Sequence, residues 1–125
     1  MVETKRKILN FTDLIAYKSA HSLVLKVYEL SKKFPADERF ALTNQIRRAA
    51  ISITSNIAEG FSRQTSNDKS HFYCMAKGSL TELESQLLIS KDLGYLNITD
   101  HSSLGDLLKD TARLISGLIR SANNR

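Results

Sequence analysis

Residues 34–60, FPADERFALTNQIRRAAISITSNIAEG, decide the fold of this chain. The Phe-Pro pair that opens the stretch ends any preceding helix, because a residue before proline avoids the α conformation. After a short connector, apolar residues recur every three or four positions, which is the spacing of one buried helix face: Ile46, Ala49, Ala50, Ile53 and Ile57. We predict a helix over residues 43–60, with Thr43 as its N-cap and Gly60 as its C-terminal stop.

The same helical spacing runs through the rest of the chain on both sides of this stretch. We predict further helices over residues 12–34, 67–94 and 99–122. Their candidate N-caps are Thr12, Ser66 or Asn67, and Thr99. Short connections between helices favour antiparallel neighbours, so the predicted fold is all-α, an up-down-up-down antiparallel four-helix bundle. We expect the bundle to span residues 12–122 behind a basic N-terminal arm, residues 1–11.

Length and composition are those of one globular domain. The chain has 125 residues, of which 42% are hydrophobic and 25% are charged. No apolar run approaches the roughly 18 residues that a membrane span requires, so we expect no membrane partner. The single cysteine, Cys74, excludes an intramolecular disulfide and is typical of a reducing compartment, so we expect a cytoplasmic protein.

The charge is basic and unevenly distributed. The chain carries 18 Lys and Arg against 13 Asp and Glu, a net charge of +5. Residues 1–63 hold 11 cationic and 6 anionic side chains, whereas residues 64–125 hold 7 of each. A basic half favours a polyanionic partner such as nucleic acid, although solubility alone would also explain it.

The usual signatures of catalysis and metal binding are absent from the sequence. Asp68 and His71 have one of the spacings that bundle metal sites use, but they stand at a helix start without the further carboxylates required. Cys74 lies next to Met75, which we expect to point inward, so the cysteine is interpreted as a small hydrophobic residue. We therefore expect no catalytic residues, no metal and no cofactor.

Polar residues form a stripe beside the apolar seam of the second helix and on the third helix. They are Gln45, Ser52, Asn56 and Glu59 on the second helix, and Ser79, Glu82 and Gln86 on the third. Three interpretations remain open. The stripe is a solvated helix face, a buried polar network that sets helix register or subunit contacts, or an acid–base pair. A buried network would require donors for both glutamates, because an unpaired buried carboxylate is very unfavourable.

The basic residues supply the candidate phosphate contacts. Arg47 and Arg48 are the main candidates, and the secondary ones are Lys5, Arg6, Lys7 and Arg63. Adjacent helical residues point about 100° apart. We therefore expect one arginine of the pair to face the ligand, and the other to pair with Glu59 or Glu82. No module that distinguishes RNA from DNA is present, so either is a candidate partner.

The stretch 34–60 and the later stretch 72–87, FYCMAKGSLTELESQL, followed by Leu93-Gly94-Tyr95, are distinctive in combination. Together they resemble the family of proteins encoded in intervening sequences of bacterial 23S ribosomal RNA genes. The resemblance runs from about residue 11 to residue 120. The family's signature positions overlap the polar stripe and the arginine pair: Gln45, Arg47, Arg48, Ser52, Asn56, Glu59, Gly60, Gly78, Ser79, Glu82 and Gln86.

The resemblance implies a bundle of four long helices that assembles into a homopentameric ring. A structural relative, the accessory variability protein of diversity-generating retroelements, forms a basic pentameric barrel that engages a reverse transcriptase and nucleic acid. The intervening-sequence family itself has no settled biochemical role. The sequence as a whole favours a non-catalytic nucleic-acid-associated protein, and the alternative is a protein-interaction scaffold that docks an acidic partner.

Overall fold

The computed structural model of the protein describes residues 7–124, and this part of the chain is all-α. The four α-helices are α1 Ile15–Ser31, α2 Leu42–Ser62, α3 Ser66–Asp92 and α4 Ile98–Asn123. Single turns of 3-10 helix precede α1 and α2, at Phe11–Asp13 and Ala36–Glu38. No strand occurs in the described residues. Each helix packs against its neighbours in the chain, and α1 also packs against α4.

The core lies between the four helices and draws apolar residues from each. The predicted seam of α2 is buried along its whole length, and its central Ile53 is fully inaccessible to solvent. It belongs to one core cluster with Leu23 of α1, Leu83 of α3 and Ile115 of α4, which are likewise fully buried. The three-to-four spacing of apolar residues therefore identified the inward face correctly, because only one face of each helix can leave water.

The N-caps of α3 and α4 lie just before the residues chosen from the sequence. The Thr65 hydroxyl accepts a hydrogen bond from the Asp68 amide at 3.1 Å, and the Asn97 side chain accepts one from the Asp100 amide at 2.7 Å. A cap must have an extended backbone outside the helix, and both residues do. The predicted caps Ser66, Asn67 and Thr99 were therefore wrong, since they lie inside the first turns.

The predicted caps of the first two helices were also wrong. Thr12 lies within the first 3-10 turn, which Asn10 caps, and α1 begins after Leu14 without a side-chain cap. The cap position of α2 is Ala41, which has no polar side chain, and Thr43 is a buried residue of the first turn. The start of α2 therefore has no side-chain cap of its own.

We expect Asn97→Ala to lower the free energy of unfolding by about 1 kcal/mol, because the substitution removes the acceptor for a first-turn amide of α4. Thr99→Ala is the matched control. Thr99 is exposed in the first turn of α4, two residues after Asn97, and its replacement should change the free energy of unfolding by less than about 0.5 kcal/mol. Urea unfolding measures both. Equal effects of the two substitutions would contradict the assignment of the cap.

The helix ends depend on two glycines that act differently. Gly94 follows α3 with φ +85°, a conformation that glycine adopts without strain. Its amide bonds to Lys91 O and the Tyr95 amide bonds to Ser90 O, both at 2.9 Å, which closes the helix in a Schellman motif. Gly60, by contrast, does not stop α2, which continues to Ser62. The predicted role of Gly60 as a helix stop was wrong.

Gly60 instead allows the Tyr73 ring of α3 to pack directly against α2. A Cβ at this position would lie 2.6 Å from Cε1 and 2.8 Å from Cδ1 of the buried Tyr73. The carbonyl groups at the end of α2 accept hydrogen bonds from Lys69, at 3.4 Å on Gly60 and 2.8 Å on Phe61. This lysine satisfies carbonyls that a helix end otherwise leaves unpaired.

A polar contact fixes the connection between α1 and α2. The Tyr95 hydroxyl donates a hydrogen bond to the Glu38 carboxylate at 2.9 Å, and the Tyr95 ring packs against the buried Phe34 at 5.4 Å between centroids. The pKa of Tyr95 is raised, first by this hydrogen bond, then by desolvation, and then by the negative charges of Glu38 and Asp37. The contact joins the α1–α2 connection to the α3–α4 connection.

Candidate nucleic-acid interface

Arg47 is held in place between α2 and α1. Residue 47 follows the buried Ile46, so it projects about 100° away from the core face, on the side of α2 that meets α1. Its Nε donates a hydrogen bond to Ser31 Oγ at 2.8 Å, and its guanidinium lies over the Tyr28 ring at 4.6 Å from the centroid. No carboxylate of the described residues forms an ion pair with it. The half-buried guanidinium is oriented but electrostatically uncompensated.

Arg48 is exposed on the outer side of α2 and has no ion pair with any described residue. The expectation that one arginine of the pair would bind Glu59 or Glu82 was wrong. The Glu59 carboxylate lies 3.6 Å from the Arg63 guanidinium and also accepts a hydrogen bond from the Ser62 hydroxyl. The Glu82 carboxylate accepts a hydrogen bond from Gln86 Nε2 at 3.3 Å. The two arginines therefore differ in orientation, but both keep an unneutralised charge.

The secondary candidates are separated from this pair. Arg63 lies just after α2, where its guanidinium covers the Phe72 ring at 4.6 Å besides facing Glu59. Lys7 is exposed ahead of the first 3-10 turn. Lys5 and Arg6 lie outside the described residues, so the structure does not bear on them.

The polar stripe separates into a small cluster and several exposed side chains. The hydroxyls of Ser52 and Ser79 lie 2.8 Å apart across the α2–α3 contact, and Asn56 Nδ2 donates to the Ser52 carbonyl at 2.9 Å and to its hydroxyl at 3.1 Å. Gln86 is buried, and its Oε1 has no partner in the described residues. Gln45, Glu59 and Glu82 are exposed. The helices therefore share a neutral hydroxyl–amide cluster, while both carboxylates remain in water.

The basic residues of the first half of the chain are largely without acidic partners. Nine Lys and Arg lie between residues 7 and 63, and within the described part of the chain Arg63 is the one among them that forms an ion pair. The other eight are Lys7, Lys18, Lys26, Lys32, Lys33, Arg39, Arg47 and Arg48. Six of the eight are exposed, whereas Lys26 and Arg47 are half-buried, and Lys18 lies opposite the buried face of α1. An uncompensated charge of this kind keeps its attraction for anions.

The residues that carry reactive groups are dispersed. Cys74 is exposed, and so is Met75 with 45% of its surface accessible, which corrects the expectation of an inward face at this point. Across residues 7–124, no three His, Cys, Asp or Glu side chains converge as metal ligands do. The same residues include no helix that is long and apolar enough to cross a membrane.

A cleft of about 370 Å³ lies where α1 ends and α2 begins. Lys32, Arg39, Arg47 and Thr43 line it together with the apolar Phe34 and other residues of the connection. Of these four residues, sequence analysis named Arg47 as a phosphate contact and Thr43 only as a helix cap, and it named neither Lys32 nor Arg39 as a candidate. Nothing in the spacing along one helix reveals that these four side chains meet, because they come from both sides of the α1–α2 connection.

Comparisons with known proteins agree with the fold. A crystal structure of a protein of unknown function from the S23 ribosomal protein family, from Bacteroides thetaiotaomicron VPI-5482, matches with a TM-score of 0.79 and 20% sequence identity. The match covers 86% of this chain and 97% of that chain. At this identity the likeness shows the fold alone. No protein of curated function matches the chain.

The sequence itself matches a family description over most of its length. Residues 12–117, from the first 3-10 turn to the last third of α4, match the 23S rRNA-intervening sequence protein family. The matched region includes all of α2 and α3, with the arginine pair and the hydroxyl–amide cluster described above. On this evidence, the chain belongs to the 23S rRNA-intervening sequence protein family.

Proposed function

We propose that this protein is a non-catalytic nucleic-acid-associated protein, which binds the phosphates of RNA or DNA through the cations of α1 and α2. The observation that carries the proposal is that eight of the nine Lys and Arg between residues 7 and 63 have no ion pair in the described structure. Cations that are free of carboxylates can replace the counterions that surround a phosphate backbone. Residues 64–125, with 7 charges of each sign, offer no such excess.

The proposed role is binding without catalysis, because the acidic side chains that could act as acid or base are engaged elsewhere or stand alone. Glu59 is occupied by Ser62 and Arg63, and Glu82 accepts from Gln86. General acid–base catalysis requires such a group within hydrogen-bond reach of the proton that it transfers. The exposed Cys74 fits the reducing cytoplasm that we propose as the location.

We further propose that the helices run up-down-up-down and that five copies form a ring. The connections α2–α3 and α3–α4 comprise only residues 63–65 and 93–97, which favours antiparallel neighbours. Met75 and Ile89 leave about half of their surfaces exposed on α3 and lie close to four helical turns apart, so they share one outward face. Assembly would cover that face and bring the basic sides of several protomers together.

Binding of ribosomal RNA fragments across a salt series tests the proposed function. We expect the logarithm of the association constant to fall linearly with the logarithm of salt concentration. Four phosphate contacts would reduce affinity about 100-fold between about 50 and 200 mM salt. Affinity that is absent at low salt, or that does not change with salt, would contradict nucleic-acid binding.

Light scattering tests the assembly separately. We expect a mass near 70 kDa, five times the 14.0 kDa chain. A 14 kDa species at micromolar concentration would contradict the ring.

A second candidate function is a scaffold for an acidic protein partner. Leu25 is 58% exposed on the outer side of α1, between the cations Lys18 and Lys33, and a protein partner could bury it. Leu25→Ser distinguishes the two functions. If Leu25→Ser no longer binds an acidic protein but binds RNA with unchanged affinity, the scaffold function is favoured. If the variant binds the acidic protein as the wild type does, the scaffold function is contradicted.

A further inference from the structure

One residue that lines the cleft between the end of α1 and the start of α2 has a buried hydroxyl without a partner among the described residues. Thr43 lines the cleft, is only 7% exposed, and its Oγ1 has no hydrogen-bond partner in the described residues. Burial of an unsatisfied hydroxyl is unfavourable. A group of this kind marks a position where a bound ligand or an ordered water can supply the missing partner. An acceptor or donor that enters the cleft would satisfy this group.

Arg47 presents a prepared anion-binding group in the same cleft. Ser31 holds its Nε and the Tyr28 ring supports its guanidinium plane, which leaves the two terminal nitrogens without a carboxylate among the described residues. A guanidinium fork of this kind binds two oxygens of a phosphate at once. Its orientation is fixed before the ligand arrives.

Further positive charge comes from Lys32 and Arg39, which also line the cleft. No lining residue carries a carboxylate. Glu38 belongs to the same connection, but its carboxylate accepts the Tyr95 hydroxyl at 2.9 Å and the Leu42 amide at 3.5 Å. The N-cap residue of α2, Ala41, has no polar side chain, so Glu38 contacts the Leu42 amide while the next amides of the first turn have no side-chain cap among the described residues.

We infer that this cleft binds a phosphate monoester, with Arg47 as the bidentate donor, Lys32 and Arg39 as additional cations, and Thr43 as a hydroxyl donor. A monoester is preferred over an internal diester because its charge of almost −2 near pH 7 matches more than one cation. The inference rests on the proposed function where the monoester is the terminal phosphate of a nucleic-acid strand. A free phosphate ion has the same chemistry and would occupy the same place.

Titration with inorganic phosphate tests the cleft without any nucleic acid. Isothermal calorimetry of the full chain should show binding that Thr43→Val weakens about tenfold, because a hydrogen bond to a charged group is lost. Arg47→Lys should weaken it by a similar factor of about ten, since the charge remains but the fork is lost. The matched controls are Thr54→Val, whose hydroxyl bonds to Ile51 O on the same helix, and Arg120→Lys on α4. Both should bind phosphate like the wild type.

Thermal unfolding separates loss of binding from loss of fold. Thr43→Val should unfold at the same temperature as the wild type or higher without phosphate, because an unsatisfied buried hydroxyl is removed. Phosphate should then raise the unfolding temperature of the wild type but not of the variant. Equal phosphate affinity of wild type and Thr43→Val would overturn the inference.

Two versions of one RNA strand, with a 5′-phosphate or a 5′-hydroxyl, identify the source of the phosphate. If the phosphorylated strand binds more tightly to the wild type, and Thr43→Val abolishes this difference, the phosphate in the cleft is the 5′ end of a strand. Phosphate binding in the cleft without binding of either strand supports the cleft as a free-phosphate site and overturns the proposed function. Salt-dependent binding of both strands with equal affinity, together with no phosphate binding, overturns the cleft and leaves the proposed function standing.

Discussion

Gly60→Ala is expected to lower the free energy of unfolding by about 1–3 kcal/mol, although alanine is the better helix former. The added methyl carbon would lie 2.6 Å and 2.8 Å from ring atoms of Tyr73, and 3.2 Å from Cβ of Phe72. Tyr73 is only 4% exposed, so its ring is packed among protein atoms and cannot shift without disturbing that packing. The two helices must therefore separate locally, which weakens the packing along α2 and α3.

Gly78→Ala is the matched control for this substitution. Gly78 also lies within a helix, but a Cβ there would meet no atom within 4 Å. We expect it to raise stability by about 0.5–1 kcal/mol through helix propensity alone. Urea unfolding of both variants isolates the steric part as their difference. If Gly60→Ala were as stable as Gly78→Ala, the close approach of α2 to α3 would be wrong.

The double substitution Lys33→Glu and Arg48→Glu is expected to reduce RNA affinity about 100-fold at about 0.1 M salt. Both side chains are exposed and have no ion pair among the described residues. Loss of two phosphate contacts should also lower the magnitude of the salt slope by about 2. Filter binding across a salt series measures both quantities.

Lys77→Glu with Lys109→Glu provides the control, because it produces the same change in net charge on α3 and α4. Both lysines are exposed and belong to residues 64–125, which carry 7 charges of each sign. We expect the affinity of this variant to remain within about threefold of wild type, since screening weakens charges beyond about 10 Å. Equal losses in the two variants would mean that overall charge, rather than the α1–α2 side, determines binding.

The architecture was predictable where the physics is local to one helix. The spacing of Ile46, Ile53 and Ile57 determines a buried face regardless of what packs against it, and the structure buries all three. The caps were not predictable to the residue. Several candidate side chains stood within three positions of each start, and only the backbone conformation decides whether Asn97 or Thr99 lies outside the helix.

The site was less accessible to sequence reasoning, because it depends on how one helix is rotated against another. Arg47 could be identified as a candidate from its charge. Its contacts with Ser31 and Tyr28 arise from the packing of α2 on α1, which no single-helix pattern contains. The failed role of Gly60 has the same origin: glycine is typical of helix ends, but here it permits a close contact between helices.

The contacts of Arg47 with Ser31 and Tyr28 affect the free energy of any association in which the Arg47 guanidinium binds a partner. A freely rotating arginine loses side-chain entropy when it docks, amounting to about 0.5–1.5 kcal/mol for an immobilised flexible side chain. Here that loss has already occurred during folding. The guanidinium therefore keeps more of its interaction energy on association than the mobile lysines of the outer α1 surface do.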